Sequence, residues 1–122
     1  MKLFISPTHE VTWKINVDQF LLNLKKIYSN VDIHYIDNEK RKYLCDWNIK
    51  VDIFYLNGFL SKNLNSVVFD TNSLIKAKEF ILLVRKSMPQ EEEILIYDEN
   101  FNKSVVLDSE LNIEELEDYF NL

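Results

Sequence analysis

Cys45-Asp46-Trp47-Asn48-Ile49-Lys50-Val51-Asp52-Ile53-Phe54-Tyr55-Leu56-Asn57-Gly58 is the stretch that decides the fold. From Cys45 to Tyr55, Cys45, Trp47, Ile49, Val51, Ile53 and Tyr55 alternate with Asp46, Asn48, Lys50 and Asp52. Successive side chains of a strand point to opposite faces, so this period of two predicts a strand with one buried and one wet side. Asn57-Gly58 is the dipeptide that most readily takes the left-handed conformation of a type I′ turn, which predicts a hairpin there. Phe59–Lys62 begins the return strand, and Val67–Phe69 forms another after the break at Asn63–Asn65.

Upstream, Lys2–Ser6 is a short apolar run stopped by Pro7, an opening strand. Asn16 with Gln19 makes a capping-box-like pair. Val17, Phe20, Leu21, Leu24 and Tyr28 then follow at helical spacing, ended by Ser29-Asn30. Val31–Ile36 reads as a strand, which makes β-α-β the opening unit. Downstream, Ser73 or Asn72 caps a second helix carrying Leu74, Ala77, Ile81 and Val84, and Pro89 stops it. Glu93–Asp98 and Lys103–Leu107 form a last hairpin, and Asn112 with Glu115 opens a final helix through Ile113, Leu116 and Phe120. The order β-α-β-β-β-β-α-β-β-α predicts a single α+β domain over residues 1–122. Its sheet should be mixed or mainly antiparallel, of roughly five to seven strands, with about three helices chiefly on one face.

Composition bounds the function. The chain has 122 residues, 47% hydrophobic and 28% charged, the balance of a folded domain that needs no disulfide or metal. Cys45 is the single cysteine, and the opening MKLFIS is too short and polar for a signal-peptide core. With no long apolar run either, a cytoplasmic protein is expected, and Lys, Asn and Ile usage fits an AT-rich bacterial genome. No membrane partner is expected. Charge is uneven. Residues 1–90 hold 13 Lys/Arg and 9 Asp/Glu, whereas residues 91–122 hold only Lys103 against 11 Asp/Glu, a balance of −10. That excess argues against nucleic acid as a ligand of the C-terminal third.

Few motifs carry chemistry. Gly58 is the only glycine, so there is no phosphate-cradling loop, and no cofactor is expected. His9 and His34 lack a second His or Cys at metal-ligand spacing. Cys45 falls on the apolar side of its strand, where packing outweighs a nucleophilic role. The basic run Lys40-Arg41-Lys42, with Lys25 and Lys26, reads as a solvated face. A small-ligand or enzyme pocket around His9, Trp13 and Trp47 is the competing reading. Two features resist a bland account. The predicted hairpin tip is apolar, with Phe54, Leu56 and Phe59 offered to the last helix or to a partner, most simply a second copy in a homodimer. The other is the acidic third, where Asp98, Glu99, Asp108, Glu110, Glu114, Glu115, Glu117 and Asp118 would form a partner-binding face.

Ala77, Phe80, Val84, Arg85 and Pro89, followed by Leu95, Tyr97-Asp98 and Val106-Leu107, form a pattern across residues 74–113, with Trp47 and Gly58 as upstream matches. It resembles small uncharacterised bacterial proteins that look like immunity proteins of toxin systems. The resemblance implies a non-enzymatic protein that neutralises a toxin, and it supplies no catalytic residue. Joined to the charge count, it leads to a protein-binding module whose partner is a basic toxin domain. A structural homo-oligomeric adaptor is the third reading.

Overall fold

The computed structural model describes residues 1–36, 43–108, 110 and 112–120; Lys40-Arg41-Lys42 lies outside them. The strands are β1 (Lys2–Pro7), β2 (Asp32–Tyr35), β3 (Tyr43–Val51), β4 (Phe54–Ser61), β5 (Val67–Thr71), β6 (Ile94–Asp98) and β7 (Ser104–Val106). The helices are α1 (Val17–Ile27), α2 (Lys78–Lys86) and α3 (Ile113–Phe120). The fold is α+β: one seven-stranded sheet of order β2-β3-β4-β5-β1-β6-β7, antiparallel at every described pairing. β1 and β2 of the opening β-α-β run are therefore not neighbours; β3, β4 and β5 stand between them.

The alternation starting at Cys45 is a strand, but it stops at Val51. The chain turns through Asp52 and Ile53 and returns as β4, pairing Val51 with Phe54, Ile49 with Leu56 and Trp47 with Gly58. This corrects the hairpin expected at Asn57-Gly58, which lies inside β4. Asp52 takes the left-handed conformation at φ 55°, as do Leu64 and Phe101 in later turns, while Gly58 does not. Asn72 holds the observed turn, donating from Nδ2 to the Ile53 carbonyl (2.6 Å) and accepting from the Tyr55 N–H (3.0 Å).

Gly58 serves a different need. A Cβ built on it would lie 2.8 Å from Cε2, Cζ2 and Nε1 of Trp47, closer than carbon atoms tolerate. The absent side chain leaves the space that the indole fills. Trp47, fully buried, packs on Phe20 of α1 (centroids 5.4 Å) and Phe80 of α2 (5.7 Å), and Phe80 reaches Phe69 of β5 (5.2 Å). These contacts place α1 and α2 on one sheet face. α3 joins them there, because Leu116 shares a cavity with Val105, which pairs with the inward Ile96.

The helix ends follow local chemistry. Asn16 Oδ1 accepts from Gln19 N–H (3.1 Å), a side-chain cap, but Gln19 Nε2 donates to Asn23 rather than closing the box. Ser73 Oγ accepts from Lys76 N–H (3.2 Å), which fixes a turn ahead of α2; the helix proper begins at Lys78. At its far end Arg85 is buried without a carboxylate partner among the described residues. Nε donates to Leu107 O (2.9 Å), Nη1 to Pro89 O (3.1 Å) and Met88 O (3.5 Å), and Nη2 to Gln90 O (3.0 Å) and Glu92 O (3.1 Å). All five guanidinium protons are used, so one side chain organises the 88–92 loop and ties it to the end of β7.

Two outcomes test this packing. Gly58→Ala should destabilise the fold by about 1–3 kcal/mol through overpacking, and Trp47→Phe should suppress part of that loss in the double variant. Equilibrium denaturation of the four proteins measures it, and strictly additive losses would disprove the contact's role. Arg85→Met should cost about 2–4 kcal/mol, because the buried Leu107 and Met88 carbonyls lose their donor at about 1–2 kcal/mol each while the part-buried loop carbonyls turn to water, and Arg85→Lys should recover little of it.

Candidate functional site

α3 forms because Asn112 Oδ1 accepts from Glu114 N–H (3.0 Å) and Glu115 N–H (3.3 Å), while Ile113, Leu116 and Phe120 bury one stripe. The opposite stripe carries carboxylates. Glu114 and Glu115 sit in the first turn, where the helix dipole favours negative charge. Asp118 sits in the last turn, which holds no basic residue and where the dipole opposes it by about 0.3–1 kcal/mol.

The eight acidic residues expected to form one face divide by role. Asp98 Oδ1 accepts from Asn102 N–H (2.8 Å) and Lys103 N–H (3.2 Å), fixing the β6–β7 turn. Glu117 Oε2 accepts from Ile75 N–H (2.7 Å), fastening α3 to the turn before α2. Asp108 Oδ1 accepts from Glu110 N–H (3.0 Å) in a local turn. Glu99 lies 3.9 Å from Lys2 on the far side of the sheet. Glu110, Glu114, Glu115 and Asp118 are exposed and form no ion pair among the described residues. Lys103, the one cation of this third, is committed elsewhere: Nζ donates to Tyr119 O (2.9 Å) and lies over the Tyr119 ring.

Beside these carboxylates is apolar surface. Val105, Leu116 and Tyr119 line a cavity of about 300 Å³, with Asn112 and Glu115 as its polar wall. Phe101, Val106 and Tyr119 are large apolar residues left 59%, 48% and 43% exposed. The sequence flagged neither the cavity nor these residues. Leu116 and Tyr119 are three apart on a capped helix, but nothing local tells that Val105 lies beneath them.

The other sheet face is built differently. Tyr43 packs on Phe59 (4.4 Å) and Phe4 stacks on Tyr97 (5.3 Å), which stacks on Phe101 (4.2 Å). Lys2, Asp46, Asn48, Asn57, Phe59 and Asp70 line a groove of about 300 Å³ between these rings. Its charged groups have partners within the chain. Asp70 binds the N-terminal ammonium (2.9 Å), Lys2 lies near Glu99, and His34 stands between Asp46 (3.0 Å) and Asp32 (3.3 Å).

The remaining candidates separate. Phe54 and Leu56 of the supposed apolar tip are 5% and 0% exposed and belong to the core, while Phe59 lies half-buried on the opposite face. They share no surface because the turn falls at Asp52-Ile53 instead. His9, Trp13 and Trp47 take separate places among the described residues. His9 meets Glu92 (3.4 Å) and Thr8 (3.2 Å), Trp13 lines a groove with Glu10, Lys14 and Lys62, and Trp47 is in the core. The indole N–H groups of Trp13 and Trp47 are buried without an acceptor among the described residues. Among those residues, no three His, Cys, Asp or Glu gather as a metal cage, and no helix is long and apolar enough to cross a membrane.

Comparison with known proteins adds no relative: no family model matches the chain, and neither a curated protein nor a solved structure does.

Cys45 is fully buried in β3, and its thiol is pushed up to about 11, first by burial and then by the neighbouring Asp46 carboxylate. A thiol reagent should label it slowly in the native protein and fast after denaturation. The native state holds the proton more tightly than the unfolded chain, whose thiol titrates near 9.0. Stability should therefore fall as pH rises from about 9 toward 11, and Cys45→Ala should flatten that slope. Rapid native labelling would overturn the core assignment.

Proposed function

We propose that this chain is a non-enzymatic protein-binding module that captures a basic partner through the exposed carboxylates around α3. The observation that carries the reading is the set Glu110, Glu114, Glu115 and Asp118, exposed and without ion pairs among the described residues. Solubility alone does not require this arrangement. Asp118 stands in the last turn against the helix dipole, and Lys103 donates to the Tyr119 carbonyl rather than to a carboxylate. Exposed carboxylates without ion pairs among the described residues fit capture of a cation, where complementary potentials speed encounter and set specificity. Within this proposal, the resemblance read over residues 74–113 of the sequence favours a basic toxin domain as the partner. An acidic helix set against a nuclease's cationic surface would occupy the place of nucleic acid.

Glu117 and Asp98 are excluded from the binding set, because each holds backbone. Reversing Glu114, Glu115 and Asp118 to Lys should leave the circular dichroism nearly unchanged and lower stability by only about 1 kcal/mol, because the gain at Asp118 partly offsets the two first-turn losses. It should also abolish recovery of a basic protein from host lysate and the rescue of cells expressing the recovered toxin domain. Capture by the parent protein should weaken as salt rises, since exposed charges are screened over about 8 Å at physiological ionic strength. Recovery of the same partners by parent and reversed protein at low and moderate salt would sink the reading.

A further inference from the structure

β7 is the last strand of the sheet on the α3 side, with β6 as its only strand neighbour among the described residues. The ladder fixes which of its groups are spent. Asp98 N–H donates to Lys103 O (3.1 Å) and Leu107 N–H to Ile94 O (2.8 Å), while Val105 pairs with Ile96. In an antiparallel pair, residues alternate between facing the partner strand and facing away. Lys103, Val105 and Leu107 turn toward β6, so the N–H and C=O groups of Ser104 and Val106 point outward. An open edge of this kind can take another strand.

Three further features lie along that edge. The cavity formed by Val105, Leu116 and Tyr119 is apolar with one carboxylate, Glu115, in its wall. Val106 and Phe101 are exposed on the opposite face of the same edge, and Glu115 of α3 lines the cavity. An aliphatic stem ending in a cation matches such a pocket, because the methylenes of Lys or Arg bury against apolar surface while the head group stays at the rim. On an added strand, alternate side chains would face the helix side, so every second residue could be basic while the others cover Val106 and Phe101. The groove on the opposite sheet face has neither property, since Asp70 is held by the N-terminal ammonium, Asp46 is hydrogen-bonded to His34, and it lies across central strands.

We infer that the basic partner docks as an extended segment added to the β7 edge, with a lysine or arginine stem in the Val105–Leu116–Tyr119 pocket and its charge at Glu115. The inference rests on the reading of a basic partner and names how that partner is held. Backbone pairing supplies the affinity, and the pocket with its carboxylate selects side chains.

The test uses the full chain and a short capped peptide of alternating Lys and Val, with an alternating Glu and Val peptide as control. Binding is followed by amide chemical shifts and hydrogen exchange. The Lys/Val peptide should shift and protect Ser104 and Val106, and the Glu/Val peptide should do neither. Val106→Pro removes an outward N–H that the ladder does not use, a substitution edge strands accept. It should leave the fold intact and weaken the peptide by roughly tenfold through the lost hydrogen bond and blocked pairing. Leu116→Ala, should it loosen α3, is replaced by Tyr119→Ala, which opens the pocket from its exposed wall and should weaken the Lys/Val peptide in the same direction. If Val106→Pro leaves affinity unchanged while the Lys reversal of Glu114, Glu115 and Asp118 abolishes it, the edge inference falls and the acidic-surface reading stands. If the reversal leaves it unchanged, the acidic-surface reading falls. Absence of any Lys/Val binding overturns the edge inference.

Discussion

The indole of Trp47 set against the bare Cα of Gly58 is the contact on which the sheet and its helix layer depend. It joins neighbouring positions of β3 and β4, so it pins their register; a slip by one residue would move the ring to the wet face and leave a gap beneath α1 and α2. The same ring touches Phe20 and Phe80, one from each of those helices. Its cost is visible in the buried indole N–H, which has no acceptor among the described residues. An unmade hydrogen bond costs about 1–3 kcal/mol, and a large buried aromatic packed on two rings offsets it.

That contact also explains where the sequence is legible and where it is not. The alternation through Cys45, Trp47 and Ile49 reports a buried strand face directly, and Asn16 and Asn112 report helix starts because a cap is a local hydrogen bond. Gly58 is different. Asn-Gly is a turn signal when glycine is needed for its backbone freedom, but here glycine is needed for the volume it lacks, and that volume belongs to a residue eleven positions away. The turn went instead to Asp52 and Ile53, held by Asn72, a residue distant in the chain. For the candidate site, the charge was legible by counting, and its division between Asp98 or Glu117 and the free set was not. That division depends on which backbone N–H groups the fold brings within reach.

A chain with one glycine must also make its turns from other residues. Asp52, Leu64 and Phe101 all adopt the left-handed conformation. Phe101 gains a stack on Tyr97 in return, and the β6–β7 turn gains Asp98 as an acceptor for two N–H groups. The β6–β7 turn is thus fixed by two side-chain hydrogen bonds and one ring stack, next to a strand of only three residues.

Arg85 is solvated entirely by peptide carbonyls drawn from the 88–92 loop and from Leu107. No other natural side chain presents five donors in one plane, so evolution has no near substitute at this position. Across diverging descendants of this chain it should stay invariant while the surface carboxylates drift with their partner. Read from an alignment alone, a lone unchanging arginine beside variable acids would look like the seat of a chemical activity, when it is the keystone of a loop.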